Sequence, residues 1–254
     1  MKYLIAISTC HSFEENGCNQ AVRDTWLPDC KKYGVDYKFF VGHGECGFGR
    51  TNTSAINPYP FGSSNGYKLG DKQPEDTVQL DCGDGYNRLT YKTQESLKWA
   101  AERGYDYVFR CFPDTYVHVG RLLASGFHRS DYHGDFRGEL LAHPNYTSGG
   151  AGYWLSKKAY FYLLGAPILG VWRDDLTVYV EDLWVGRIIS PRMKDGTFLQ
   201  YAHDPRYMNR GQVYQPHPSN NFVTAHLSCG GGGQGTVPYT KDLMYKAHDP
   251  WRKP

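Results

Sequence analysis

Short apolar runs rich in β-branched and aromatic residues alternate along this chain with segments whose apolar residues recur every three or four positions. Lys2–Ser8, Tyr37–Val41, Thr77–Leu80, Tyr105–Cys111 and Tyr153–Leu155 have the first character and predict strands. Between them, Asn19–Tyr33 carries Val22, Trp26 and Cys30 on one face and predicts a helix, with Pro28 as a point of interruption. Thr90–Arg103 is the clearest helix. Leu89, Thr93, Leu97 and Ala101 share a face, and Gly104 stands where a helix ends. Val119–Ser125, Lys157–Leu164 and Asp182–Ile189 complete the helical set. Residues 42–76 are rich in Gly, Asn, Ser and Pro and predict a long surface excursion or lid, and the chain reads as irregular after Ser190. Strands alternating with helices predict an α/β fold with a mostly parallel sheet. No repeat or linker breaks the pattern, which predicts a single domain.

Composition narrows the chemistry. The chain has 254 residues, 40% hydrophobic and 21% charged, enough for a sizeable core. A net charge of +2 without a Lys/Arg run gives no basis for nucleic-acid binding. Tyr and Trp, at 21 and 6, suit contact with sugars and nucleobases through a flat apolar face and a polar edge. Seven Cys without C-x-x-C spacing argue against a zinc ribbon, and Cys10, Cys18, Cys30 and Cys46 leave a disulfide open. The sequons at Asn52 and Asn145 are too short to establish secretion. The apolar run Tyr3–Ile7 is too short for a signal core, and no stretch of about 20 apolar residues predicts a transmembrane segment. The start at Met1 predicts a cytoplasmic protein; a Golgi lumen location is the alternative if an N-terminal anchor has been removed.

Val108–Val117, VFRCFPDTYV, supplies the first chemical signal. Asp114 lies just past the end of a buried strand, where open α/β sheets bind ligands and where a carboxylate can hold a hard divalent cation. Gly42–Gly47 fits G-x-G-x-x-G but no helix pattern follows it, so a dinucleotide-binding reading fails on context. The glycine run Cys229–Gly235 lacks the G-K-S/T of a phosphate loop and reads as a mobile loop.

Six segments in order resemble the beta-1,3-galactosyltransferase and Fringe group, glycosyltransferase family 31: VRDTWL (Val22–Leu27), KFFVG (Lys38–Gly42), LDCGDGYNRLTYKTQESLKWA (Leu80–Ala100), FRCFPDTYV (Phe109–Val117), GGAGYWLS (Gly149–Ser156) and EDLWVG (Glu181–Gly186). The resemblance spans roughly residues 3–190. It implies a GT-A type, Rossmann-like mixed sheet flanked by helices, with residues 1–110 as the nucleotide-binding half and 111–254 carrying metal, acceptor and base. It also implies a UDP-sugar donor, Mn2+ or Mg2+, a glycan or glycoconjugate acceptor, and inversion at the sugar carbon with a beta linkage. Asp114 matches the metal-binding aspartate of D-D-D, and Asp182, beside Glu181, matches the general base. Arg23, Asp84 and Lys92 match positions near the nucleotide, and Ser8, Arg110, Gly150 and Gly152 join the donor-binding set. His226 is the first choice for the metal-ligand histidine and His203 the second. The chain departs from the family where Phe112 and Pro113 replace the first two aspartates of D-D-D. That departure supports a rival reading, a catalytically inactive relative acting as a chaperone or glycan-binding protein. A nucleotide-sugar hydrolase is a third.

Overall fold

The computed structural model describes residues 1–44, 68, 70–85, 88–137, 146–168, 171–173, 176–178, 181–194, 199–208, 221–227 and 241–251. Most of the 42–76 excursion, both sequons and the Cys229–Gly235 run lie outside the described residues.

Among the described residues, fourteen strands and eight α-helices follow one another. The central sheet contains β1 (Tyr3–Ser8), β2 (Asp36–His43), β3 (Thr77–Gly83), β4 (Tyr107–Cys111), β6 (Tyr132–Gly134), β9 (Tyr153–Ser156) and β12 (Tyr201–His203), in the order β12-β6-β9-β4-β1-β2-β3. All neighbours pair in parallel except β9, which runs against both β4 and β6. A second sheet joins β13 (Tyr207–Met208), β14 (Thr224–His226) and β5 (Thr115–Val117). Two small antiparallel pairs, β7 (Phe136–Arg137) with β8 (Tyr146–Thr147) and β10 (Val171–Arg173) with β11 (Leu176–Val178), complete the set. The helices are α1 (His11–Glu15), α2 (Cys18–Asp24), α3 (Leu27–Tyr33), α4 (Leu89–Glu102), α5 (Val119–Leu123), α6 (Lys157–Leu164), α7 (Glu181–Lys194) and α8 (Lys241–His248). The result is a mixed α/β fold with a mostly parallel sheet flanked by helices. No helix among the described residues is long and apolar enough to cross a membrane.

The period of two along each strand sorts the core into two layers. Ile5, Ile7, Phe39, Phe109, Cys111 and Trp154 face α2, α3, α5, α8 and the small sheet. Leu4, Ala6, Phe40, Val108, Tyr153 and Leu155 face α4, α6 and α7 through Leu97, Tyr160, Leu163, Trp184 and Ile189. Burying one such Leu or Ile side chain stabilises the fold by about 1.5–3 kcal/mol before entropy is charged against it.

Several expectations change. The helix expected over Asn19–Tyr33 is two, α2 and α3, with the break at Thr25–Trp26. Thr25 Oγ1 donates to the Ala21 carbonyl at 2.7 Å, and Pro28 falls in the first turn of α3, where its missing N–H costs least. Val22, Trp26 and Cys30 nevertheless share one buried cluster. α7 is longer than Asp182–Ile189 and runs through Pro191. The irregular reading after Ser190 also fails, because β12, β13, β14 and α8 lie there. Cys18 and Cys30 are buried, and burial pushes both thiols up to about 12.

Gly152 shows where the backbone demands glycine. Its φ is +78°, and an added Cβ would stand 2.5 Å from Phe109 Cζ. Gly152→Ala is expected to destabilise the protein by about 1–3 kcal/mol, measured by urea unfolding, because alanine meets both strain and a clash.

Candidate active site

The carboxyl ends of β1, β2 and β3 are tied together by one buried carboxylate. Asp84 accepts from the His11 backbone N–H and the Gly42 backbone N–H, each at 2.8 Å, and pairs with Lys92 Nζ at 2.8 Å. Lys92 also donates to the Thr9 carbonyl at 2.6 Å and the Asp84 carbonyl at 3.1 Å. Both side chains are 1% exposed. The resemblance expects Asp84 and Lys92 near the nucleotide. The structure buries both, with the polar atoms named above engaged by protein.

Arg23, also expected near the nucleotide, lies at the start of β3. Its Nε is 2.8 Å from Asp76 and its Nη1 2.8 Å from Glu14, while its guanidinium covers the Phe39 ring. Glu14 accepts from Asn19, which accepts from Thr9 Oγ1. Arg23 therefore reaches the strand ends through a chain of hydrogen bonds rather than by facing them.

Asp114 sits in the turn between β4 and β5. The antiparallel pairing of β5 with β14 sets Thr115 opposite His226, and the Leu227 N–H donates to the Asp114 carbonyl at 2.8 Å. This pairing carries His226 Nε2 to 3.1 Å from Asp114 Oδ2. Two cis ligands of an octahedral cation, each about 2.1 Å from it, stand roughly 3 Å apart, so an imidazole and a carboxylate at this spacing fit a divalent ion. No group of three or more His, Cys, Asp or Glu suited to a metal occurs among the described residues. His203, the second choice, lies on the edge strand β12, where its Nδ1 accepts from the Phe136 N–H at 3.1 Å.

The glycine turn before β9 connects this pair to a second one. Thr115 Oγ1 donates to the Gly150 carbonyl at 2.9 Å, and a Cβ on Gly150 would stand 2.5 Å from His226 Nδ1. One residue earlier, the Gly149 N–H donates to Asp182 Oδ2 at 3.2 Å. A Cβ on Gly149 would meet Arg110 Nη1 and Glu181 Oε2, both at 3.2 Å. Gly149–Gly150 is thus a thin partition with Asp114 and His226 on one side and Arg110, Glu181 and Asp182 on the other. Gly150→Ala is expected to push the His226 ring away from Asp114 and weaken Mn2+ binding by about 10–100-fold, read by titration of the ion's EPR signal.

Glu181 and Asp182 open α7 but differ in circumstance. Glu181 is buried, accepts from Thr93 Oγ1 at 3.1 Å and from the Tyr153 hydroxyl, and lies 3.3 Å from Arg110 Nη1. Asp182 is half-buried, and its oxygens take the Gly149 and Leu183 N–H groups. Burial first, and then the neighbouring charge of Glu181, pushes its pKa up to about 6. A carboxylate with that pKa is ionised at neutral pH and more basic than an ordinary aspartate, as a general base should be. Thr93, Tyr153 and Thr115 contribute to the site though no sequence signal marks them as site residues, and Phe112, marked only as a departure from D-D-D, joins them. Their partners lie 28 to 88 positions away except for Phe112, which covers the guanidinium of Arg110 at 3.7 Å.

No protein-family model matches the chain, and no curated protein matches it. The family-31 resemblance therefore stands on its six motifs. Solved structures similar to this chain include a glycosyltransferase involved in the glycosylation of the major capsid of PBCV-1, at 14% identity and a TM-score of 0.45 over 90% of this chain and 96% of that one. The galactosyltransferase LgtC, in complex with donor and acceptor sugar analogs, is similar at 13% identity and a TM-score of 0.42, over 98% and 95%. A197 from STIV is similar at 8% identity and a TM-score of 0.32, over 79% and 80%.

Proposed function

We propose that this chain is a GT-A type glycosyltransferase that moves a sugar from a UDP-sugar to a glycan hydroxyl with inversion, giving a beta linkage. The observation that carries the reading is the partition at Gly149–Gly150, which sets a metal-competent Asp/His pair and a basic carboxylate on its two sides at the carboxyl ends of the strands. Open α/β sheets bind ligands at those ends.

Asp182 is the group suited to take the acceptor's proton, since its pKa lies near the operating pH and its side chain is half-buried. Glu181 is occupied by Arg110, Thr93 and Tyr153 and serves to fix the first turn of α7. A single available carboxylate suits direct displacement; a covalent glycosyl intermediate would need a second one as nucleophile. Asp114 and His226 would hold the divalent cation, Mn2+ or Mg2+, which when bound neutralises charge on a leaving diphosphate. The Asp84–Lys92 tie holds the floor of the donor site.

The test is a panel of nucleotide sugars, UDP-galactose and UDP-N-acetylglucosamine included, assayed with Mn2+ and glycan acceptors for a new linkage. Donor cleavage that no acceptor accelerates would identify a hydrolase. Nucleotide binding without turnover would favour the inactive relative. Asp114→Ala is expected to abolish the part of UDP affinity that depends on Mn2+, with no change in unfolding free energy beyond about 1 kcal/mol. Unchanged UDP titrations with and without Mn2+ would remove Asp114 from the metal site.

A further inference from the structure

Arg110 is held in an unusual state. It is 1% exposed, and neither Nε, Nη1 nor Nη2 makes a hydrogen bond among the described residues. Glu181 balances its charge at 3.3 Å from Nη1 but without hydrogen-bond alignment, and one Glu181 oxygen is taken by Thr93 and Tyr153. Lys92, equally buried, spends its ammonium on three acceptors. Buried donors are normally satisfied, so a guanidinium with its N–H groups unused calls for an acceptor that belongs to something else.

The surroundings indicate which acceptor. Arg110 pairs with Ala6 and Tyr153 in the sheet, so its side chain rises on the face covered by α4 and α7, and Nη1 ends beneath Gly149. Phe112, half-exposed, lies over the guanidinium, with 3.7 Å between its ring centroid and Arg110 Cζ. The buried donors without partners among the described residues include two hydroxyls, Ser8 Oγ and Thr90 Oγ1. Ser8 stands two residues beyond Ala6 on the same face. Thr90 precedes Thr93 by one helical turn, and α4 meets the end of β1 where Lys92 bonds the Thr9 carbonyl. A forked cation and two hydroxyls suit an anion with several oxygens.

We propose that Arg110, with Ser8 and Thr90, binds the diphosphate of the nucleotide donor on the α4 side of the Gly149–Gly150 partition, with Phe112 as its cover. The proposal rests on the glycosyltransferase reading and adds to it that diphosphate affinity does not come from the cation alone.

Calorimetric titration of UDP and uridine in excess EDTA tests this with the full chain. Wild type is expected to bind UDP more tightly than uridine. Arg110→Met should weaken UDP at least tenfold and leave uridine unchanged, and Arg110→Lys should fall between, since it keeps charge but loses the fork. An equal loss for uridine, an unchanged UDP affinity, or wild type that prefers UDP only when Mn2+ is present would overturn the proposal. If Arg110→Met does not fold, the Arg110 Nε–H resonance of wild type, assigned with Arg110→Lys, replaces it: a shift with UDP and not with uridine supports the site, and no shift refutes it. Failure of wild type to bind UDP even with Mn2+ would bring down the glycosyltransferase reading as well. UDP binding that needs Mn2+ absolutely brings down only the arginine site.

Discussion

Asp182→Asn is expected to lower kcat for sugar transfer by about 10²–10⁴-fold, the usual worth of a positioned general base, while the affinity for UDP stays within a factor of two. Asn keeps the side-chain shape and an oxygen that accepts from the Gly149 N–H, so the partition stays in place. What is lost is the capacity to receive a proton. The pH profile gives a second readout. The pKa of Asp182 is raised to about 6, so the neutral form accumulates as pH falls through 6 and kcat/KM should fall with it. A raised carboxyl pKa also means that ionised Asp182 costs stability, in full above pH 6 and progressively less as pH falls from 6 into the ordinary carboxylate range, below which the cost is gone. Asn, neutral throughout, escapes that cost but gives up the acceptor for the Leu183 N–H, so its melting temperature at pH 8 should lie within a few degrees of that of wild type. Retained activity in Asp182→Asn would remove it from the mechanism; a collapsed melting temperature would make its role structural.

Lys92→Met is the second large expectation, in stability rather than rate. Asp84 would keep its two backbone N–H partners but lose the ammonium 2.8 Å away, leaving a buried carboxylate uncompensated. Removing one partner of a buried pair typically costs about 3–5 kcal/mol. For a chain of this size that corresponds to a melting point lowered by roughly 6–20 °C. The double variant Asp84→Asn/Lys92→Met should recover part of the loss, because the stranded charge is gone. If Lys92 instead contacts the donor, the single variant will keep its melting point and lose UDP affinity.

These contrasts show which parts of the molecule were legible from residue order. β1, β4 and β9 are apolar runs long enough to announce themselves, and Lys157–Leu164 matches α6 end to end because Ser156 caps it and Gly165 closes it. The Gly104 terminus of α4 was equally visible, with φ at +71°. The strands after Ser190 were not, because two or three residues carry no period, and β14 is defined by its pairing with β13 and with β5, the latter more than 100 positions earlier. In the site, Asp114, Asp182 and the glycine turn were legible as motifs, and His226 lies beside Asp114. The state of Arg110 was not legible. Its partners Glu181 and Tyr153 come from α7 and β9, and a missing hydrogen bond leaves no trace in a sequence. The pairing of Arg23 with Glu14 and Asp76 was not legible either, since only the fold brings those acids near.

The central claim is that one donor spans the Gly149–Gly150 partition, with the cation at Asp114 and the base at Asp182. A crystal structure of the chain grown with Mn2+ and UDP tests it most directly. The account predicts an anomalous peak for Mn2+ between Asp114 and His226, the diphosphate against Gly149–Gly150, and the Asp182 carboxylate open to the same cleft. A manganese ion held elsewhere, or UDP bound in a cleft that Asp182 does not face, would contradict it.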